Sequence, residues 1–327
     1  MEKHVLILAT TNDFLLKFEQ DNVALLQAMG YTVHYAANLR EPAYLSDRER
    51  IRARGVVPHH IDIARSPYLL GDNRRALRQV LCLLRRWEMG AIHCHTPVGG
   101  LVGRLAGRLA PTRPVVVYTA HGFHFYRGAP LYNQLAFYPV EWNLARYTDI
   151  LVTINSEDYR AARRLPLRRG GKVFQLPGVG LDRREFSPLP PAERAILRQR
   201  LGVAPEEFFL LSVGELNQNK NHQVVLEALS RLKRRGCLEG IRYGICGEGF
   251  ARPQLEEEIR ARGLSQVVTL YGYRPDIPQM VGCADATVFP SRREGLGMAG
   301  LESLAMGVPV LAADNRGTRE YICLLYT

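Results

Sequence analysis

Glu294 and Glu302 are two carboxylates with seven residues between them, in the stretch E-G-L-G-M-A-G-L-E, and Gly295 and Gly297 stand in the interval. A-T-V-F-P before the pair and V-P-V-L-A after it have the apolar character of buried parallel strands. Glu294 is therefore predicted where a strand hands over to a helix. Ligands of open α/β sheets bind at that edge. Glycines there let the backbone approach a ligand closely, and the first N–H groups of a helix starting at Met298 are available to an anion. A carboxylate at Glu302, one turn into that helix, accepts hydrogen bonds from vicinal hydroxyls. The pair thus suits a ligand that carries both phosphates and sugar hydroxyls. Two solvated glutamates on a surface helix would show the same spacing, and the surrounding residues have to decide.

Lys220, in S-V-G-E-L-N-Q-N-K-N-H, follows a second strand-like run and precedes a helical one. It is placed to neutralise a diphosphate, assisted by the helix N-terminus. No two aspartates stand at i and i+2 anywhere in the chain, so a D-x-D metal site is absent, and a diphosphate bound here would be met by Lys220 and helix N-termini. His121 follows V-V-V-Y-T-A and precedes Gly122, at the rim of a first crevice or simply capping a strand. His93 and His95 share one strand face and, with His121 and His124, form a candidate metal cluster. No carboxylate or Cys stands beside them at an ordered ligand spacing, so no metal is expected. G-E-G-F-A-R and G-V-G-L-D-R lack the third glycine of a dinucleotide fingerprint, and G-G-K-V lacks the flanking residues of a P-loop.

These residues need a scaffold, and its pattern is visible. Strand-like runs at 4–9, 31–37, 56–63, 90–95, 114–119, 149–154 and 172–176 alternate with helical patterns, and a second series starts at 208 and continues at 241–246, 266–270, 285–289 and 309–313. That alternation predicts two doubly wound parallel sheets in tandem. The proline cluster F-S-P-L-P-P from Phe186 to Pro191 is expected to be the hinge. With 327 residues and 46% hydrophobic content the chain is long and apolar enough for two cores. Six scattered cysteines without C-x-x-C point to a reducing compartment and away from structural zinc or a disulfide framework. The opening apolar run is too short for a signal peptide, and no run of eighteen apolar residues spans a membrane. The net charge of +11 gathers at Arg74, Arg75, Arg78, Arg85 and Arg86, and again at Arg160, Arg163, Arg164, Arg168, Arg169 and Lys172. Such clusters are either solvated faces or contacts to an anionic membrane. Nucleic acid is not expected, because no recognisable module or exposed aromatic interleaving accompanies them. Phe123, Phe125, Tyr126 and the run 131–142 are candidates for lipid or acceptor contact, or for core.

E-G-L-G-M-A-G-L-E-S-L-A-M-G-V-P-V-L-A resembles the donor-site signature of the retaining GT-B glycosyltransferases of family 4. G-Y-R-P-D-I-P-Q-M-V-G-C-A-D-A-T-V-F-P-S-R-R-E-G and C-G-E-G-F-A-R-P-Q-L-E continue that pattern. I-H-C-H-T-P-V-G-G and Y-T-A-H-G-F-H-F-Y-R-G-A-P are similar to its capsular and exopolysaccharide branch. The resemblance covers nearly the whole chain. It implies an α/β GT-B fold of two Rossmann-like doubly wound domains facing a cleft, with residues 1–187 binding the acceptor and 188–322 the nucleotide-sugar donor. It implies that Glu294 faces the transferred sugar, that Glu302 holds the ribose, and that His121 touches the sugar near the leaving group. His121 and Glu294 are then the catalytic residues, and Asn217, Lys220, Gly247, Arg274, Gly295, Leu296, Gly297 and Glu302 bind donor. Glu215 stands where the family commonly has Arg, which removes one expected phosphate contact.

The implied activity is transfer of a hexose or N-acetylhexosamine from a UDP-sugar, with retention and without a metal or other cofactor. The implied acceptor is a polyprenyl-diphosphate-linked sugar of surface polysaccharide synthesis, met by a cytoplasmic enzyme held peripherally on the inner face of the plasma membrane. The family continues beyond Ile322 with a further strand and a crossing helix, so the second domain is expected to be incomplete and 323–327 to be a non-native tail. A GT-B nucleotide-sugar epimerase and a non-catalytic basic protein that binds membrane or RNA are the alternatives.

Overall fold

Every strand-like run named above contributes a strand in the computed structural model, which describes residues 3–40 and 48–322. The tail at 323–327 lies outside the described residues. In chain order the strands are β1 (Lys3–Thr11), β2 (Tyr31–Asn38), β3 (Val57–His60), β4 (Ala91–His95), β5 (Val115–Ala120), β6 (Ile150–Thr153) and β7 (Lys172–Gln175), followed by β8 (Phe208–Val213), β9 (Ile241–Cys246), β10 (Val268–Gly272), β11 (Ala286–Phe289) and β12 (Val310–Ala312). The run at 56–63 is strand only over its first half. Ile61 and Ile63 are buried beyond its end, where the Ala64 N–H is taken by Asn73 Oδ1 rather than by a neighbouring strand.

The chain divides into two compact units, Met1–Gly180 and Leu181–Thr327. The expected hinge at 186–191 therefore belongs to the second unit, because Phe186 and Leu189 pack on its core. In the first unit all strands are parallel in the order β3-β2-β1-β4-β5-β6-β7. In the second they are parallel in the order β10-β9-β8-β11-β12. The strand order reverses between β1 and β4 in one sheet and between β8 and β11 in the other. Those are the two places where loops diverge at the carboxyl edge and leave a crevice.

Both faces of each sheet are covered, so the strands are apolar on both sides, with Leu6 and Leu8 in one core and Ile7 and Ala9 in the opposite one. The helix Pro97–Leu109 lies against the reversal of the first sheet, started by Thr96, whose hydroxyl accepts from Gly99 N, and by Pro97 in its first turn. Its glycines form the contact face. A Cβ on Gly103 would stand 2.2 Å from Cys94 Sγ, and one on Gly107 would stand 2.3 Å from a Val116 methyl. Between them Arg104 is fully buried, donates to both carboxylate oxygens of Glu141 at 2.7 and 3.0 Å, and lies 4.0 Å over the Tyr118 ring. This pair ties the helix Pro97–Leu109 to the helix Leu131–Ala145.

Candidate functional site

The loop after β8 carries Asn217, Asn219, Lys220 and Asn221, and each asparagine has a backbone task. Asn217 Oδ1 accepts from Lys220 N at 3.0 Å, which fixes the turn that presents the lysine. Asn219 Nδ2 donates to Arg293 O at 2.9 Å, and Asn219 O accepts from Arg292 N at 2.8 Å. Asn221 donates to Pro290 O at 3.3 Å while holding φ at 55°, a conformation that asparagine tolerates better than most residues. The loop after β8 is thereby stitched to the loop after β11, the one that carries Glu294. Strand order alone would leave the two adjacent; these hydrogen bonds set their register.

Across that seam Lys220 Nζ meets Glu294 Oε1 at 2.7 Å, with the ammonium 4.9 Å above the Phe289 ring. Both side chains are partly buried, so their attraction is screened less than that of a surface pair. The backbone carbonyl of Glu294 accepts from Arg316 at 3.3 Å, and a Cβ on Gly317 would stand 2.9 Å from Glu294 Cβ. Glu294 is thus held from three sides. Gly297 precedes the helix Met298–Ala305 with φ at 87° and, as its N-cap, has no side chain to close the first turn. Tyr321 fixes the turn by donating to Gly297 O at 3.0 Å. Leu296 is buried beside it, and Gly295 lies partly buried between Glu294 and Leu296.

Glu302, on that helix, has its carboxyl pushed up to about 7, first by burial and then by the nearby Glu185, with the Lys220 charge pulling the other way. Lys220 therefore acts on both carboxylates. Gly247, at the end of β9, closes the same edge, and a Cβ there would stand 1.9 Å from Gly214 O, so no larger residue fits that approach of the two loops. Arg274 is less committed to the group: its Nε donates to Asp276 Oδ1 at 2.8 Å. Glu215 is exposed. The second unit thus gathers Asn217, Lys220, Gly247 and residues 294–297, together with Glu302, at the β8/β11 reversal.

In the first unit His121 follows β5 and is kept neutral by burial, which lowers its pKa to about 4. Its Nε2 lies 3.2 Å from His95 Nδ1. His93 and His95 share a face of β4 as expected, but the absence of a neighbouring carboxylate does not hold in space. Glu19, from the junction of the helices Phe14–Phe18 and Gln20–Ala28, brings its carboxylate to 3.5 Å from His95 Nε2 and 4.0 Å from His93 Nδ1. Sequence reasoning missed it because seventy-odd residues intervene and nothing local marks a glutamate at a helix junction. His124 is apart from this group, its ring 4.6 Å from that of Phe137. Phe123 and Phe125 are core residues, stacked at 4.7 Å and at most 7% exposed, which removes them as lipid or acceptor contacts. The five cysteines among the described residues are unpaired, and among those residues no helix is long and apolar enough to cross a membrane.

Two doubly wound parallel units, one with lysine and paired carboxylates at its strand reversal, define the class as a two-domain α/β protein built around ligand-binding loop edges. Residues 4–154 match the family model "Glycosyl transferase 4-like", and residues 193–327 match "Glycosyl transferases group 1". The chain is 38% identical over 323 residues to EpsD of Bacillus subtilis (strain 168), covering 98% of this chain and 81% of that protein. It is 27% identical over 245 residues to the UDP-Gal:alpha-D-GlcNAc-diphosphoundecaprenol alpha-1,3-galactosyltransferase of Escherichia coli, covering 74% of this chain and 62% of that one. Among solved structures, Alr3699/HepE of Anabaena in complex with UDP and glucose superposes with a TM-score of 0.75 at 20% identity, over 98% of this chain and 83% of that one. The fold is GT-B, as the motifs implied. The chain belongs to the group 1, or 4-like, family of glycosyltransferases.

Proposed function

We propose that this glycosyltransferase moves a hexose or N-acetylhexosamine from a UDP-sugar, with retention, to a polyprenyl-diphosphate-linked sugar. The observation that carries the reading is the Lys220–Glu294 contact, with Glu302 within reach of the same ammonium, at the β8/β11 reversal. Lys220 and the uncapped start of the helix at Met298 supply positive potential for a diphosphate. A donor draws the ammonium to its phosphates and leaves the Glu294 carboxylate facing the sugar, while Glu302 accepts the ribose hydroxyls. The negative charge that grows on the leaving UDP is then met by a cation already in place, which is how such a group lowers a transfer barrier. The Anabaena structure holds UDP and glucose, and the Escherichia coli relative uses UDP-Gal and a diphosphoundecaprenol acceptor by name, and both support the choice of substrates.

Held next to the membrane, such an enzyme meets its lipid-linked acceptor. In the first unit the helix Leu131–Ala145 exposes Leu131, Tyr132 and Leu135, each at 68% or more. Near its end Arg108, Arg113, Arg146, Tyr147 and Arg168 line a cavity of about 220 Å³. Exposed apolar residues at one end of this helix and basic residues at the other suit the boundary of an anionic leaflet, where each nearby Arg or Lys is worth about 1 kcal/mol.

The test is mass analysis of the lipid and aqueous products formed from a panel of UDP-sugars and a GlcNAc-diphosphopolyprenol. The expected result is one added hexosyl or N-acetylhexosaminyl unit on the lipid, at a rate unchanged by added magnesium or manganese. A free sugar isomer without acceptor would make the protein an epimerase, and no UDP-sensitive chemistry at all would leave a basic binding protein.

A further inference from the structure

We propose that Glu19, His93 and His95 form a binding site for a divalent transition-metal ion in the first unit, with zinc the ion its donor set favours. One carboxylate and two imidazoles are a donor set typical of zinc and of other late first-row ions. One ligand atom from each of the three residues lies within 4.8 Å of the others. The Glu19 oxygens stand 3.5 Å from His95 Nε2 and 4.0 Å from His93 Nδ1. Around a tetrahedral ion with bonds of about 2.0–2.1 Å, donor atoms lie roughly 3.3–3.4 Å apart, so the widest pair has to close by up to about 1.4 Å, a side-chain adjustment. Two imidazoles packed this close, ring centroids 4.1 Å apart, converge on a single carboxylate.

The apolar setting argues the same way. His95 is 0% exposed and Glu19 3%, and His95 Nε2 has no hydrogen-bond partner. A buried nitrogen left so costs free energy that a coordinated cation removes. The other ends of the ligands are already anchored. His93 Nε2 lies 2.8 Å from Thr119 Oγ1, His95 Nδ1 lies 3.2 Å from His121 Nε2, and Asn22 donates to Glu19 Oε2 at 2.9 Å. Such outer partners fix ring orientation at metal sites, and the Phe14 ring 4.9 Å from His95 adds an apolar wall. His93, with a side chain 19% exposed, gives an entry path and a side for a water ligand. An ion on His95 Nε2 leaves the proton on Nδ1, which then donates to His121 Nε2 and keeps the His121 proton on its own Nδ1. The site is independent of the donor reading, since every ligand lies in the first unit.

The experiment uses the full chain without a polyhistidine tag, stripped with EDTA, freed of chelator and titrated with Zn²⁺ by calorimetry and with Co²⁺ by visible absorption. One equivalent per chain is expected, with the intense visible bands of four-coordinate cobalt and a rise in melting temperature on loading. Glu19→Gln and His93→Gln should each weaken binding by at least tenfold while melting cooperatively without metal. Absence of stoichiometric binding by the wild-type chain overturns the proposal, and needs no variant. So does unchanged affinity in both folded variants, or a cobalt spectrum dominated by thiolate charge transfer, which would put the ion on cysteines.

Discussion

At the residue scale the informative group is Glu302. Its carboxyl is raised from 4.5 to about 7 by burial and by Glu185. Between those two values the folded chain holds a proton that the unfolded chain has lost, so stability falls as pH rises from about 4.5 to about 7. Glu302→Gln keeps the shape and removes the ionisation. It should melt higher than the wild type at pH 8, by up to about 3 kcal/mol, and match it at pH 4, as read by denaturant unfolding at both pH values. UDP should show the opposite preference, because an ionised carboxylate is the stronger acceptor for ribose hydroxyls. Wild-type affinity for a UDP-sugar, whose diphosphate diester has no terminal phosphate to titrate near neutrality, is expected to rise with pH through about 7 and to be flat in Glu302→Gln. A group that destabilises the fold when charged, yet sits at the ligand edge, is a common signature of a functional site. Glu294, Glu302 and Lys220 were legible because each stands next to glycines and strand ends that give its position away. Glu19 was not, because its partners on β4 are far along the chain and only the packing of the first helices joins them.

At the element scale the glycine face of Pro97–Leu109 shows packing overriding local preference. Gly103→Ala raises helix propensity by about 1 kcal/mol. Its new Cβ meets Cys94 Sγ inside contact distance, and overpacking of a core costs about 1–3 kcal/mol. The variant should therefore lose net stability in urea unfolding, while the exposed Gly71→Ala, with open space around it, should lose none. The strands themselves could be read from the sequence, since a sheet covered on both faces is written as continuous apolar runs. Their ends were less clear: the 56–63 run makes its last backbone bond from Ile61 N to Ala37 O, and side chains take the N–H groups of Asp62 and Ala64. The asparagines after β8 were visible as a polar loop, but their bonds to 290–293 join two segments some seventy residues apart and leave no local mark.

At the scale of the whole molecule the charge is uneven. The exposed arginines of the helix Leu70–Arg86 and of residues 160–169 belong to the first unit, as do the basic cavity and the exposed apolar residues that start the helix Leu131–Ala145. Binding to vesicles should require anionic lipid and be stripped by high salt, because surface charges act over a Debye length of about 8–10 Å. Equal binding to neutral vesicles would reduce the arginines to a solvated face. Composition could supply the net charge but not its concentration in the first unit, nor the exposure of Leu131, Tyr132 and Leu135 there. Phe123 and Phe125, equally apolar in sequence, turned inward instead.

In the proposed function the second unit holds a nucleotide-sugar diphosphate between Lys220 and the helix that carries Glu302. Calorimetric titration with UDP tests it most directly, on the wild type and on Lys220→Ala, Glu294→Ala and Glu302→Ala shown to be folded. A charge-assisted hydrogen bond is worth about 1.5–3 kcal/mol, so Glu302→Ala and Lys220→Ala should each weaken UDP by roughly ten- to a hundredfold, while Glu294→Ala keeps UDP affinity and loses transfer. Unchanged UDP affinity in folded Lys220→Ala and Glu302→Ala would place the nucleotide elsewhere and contradict the account.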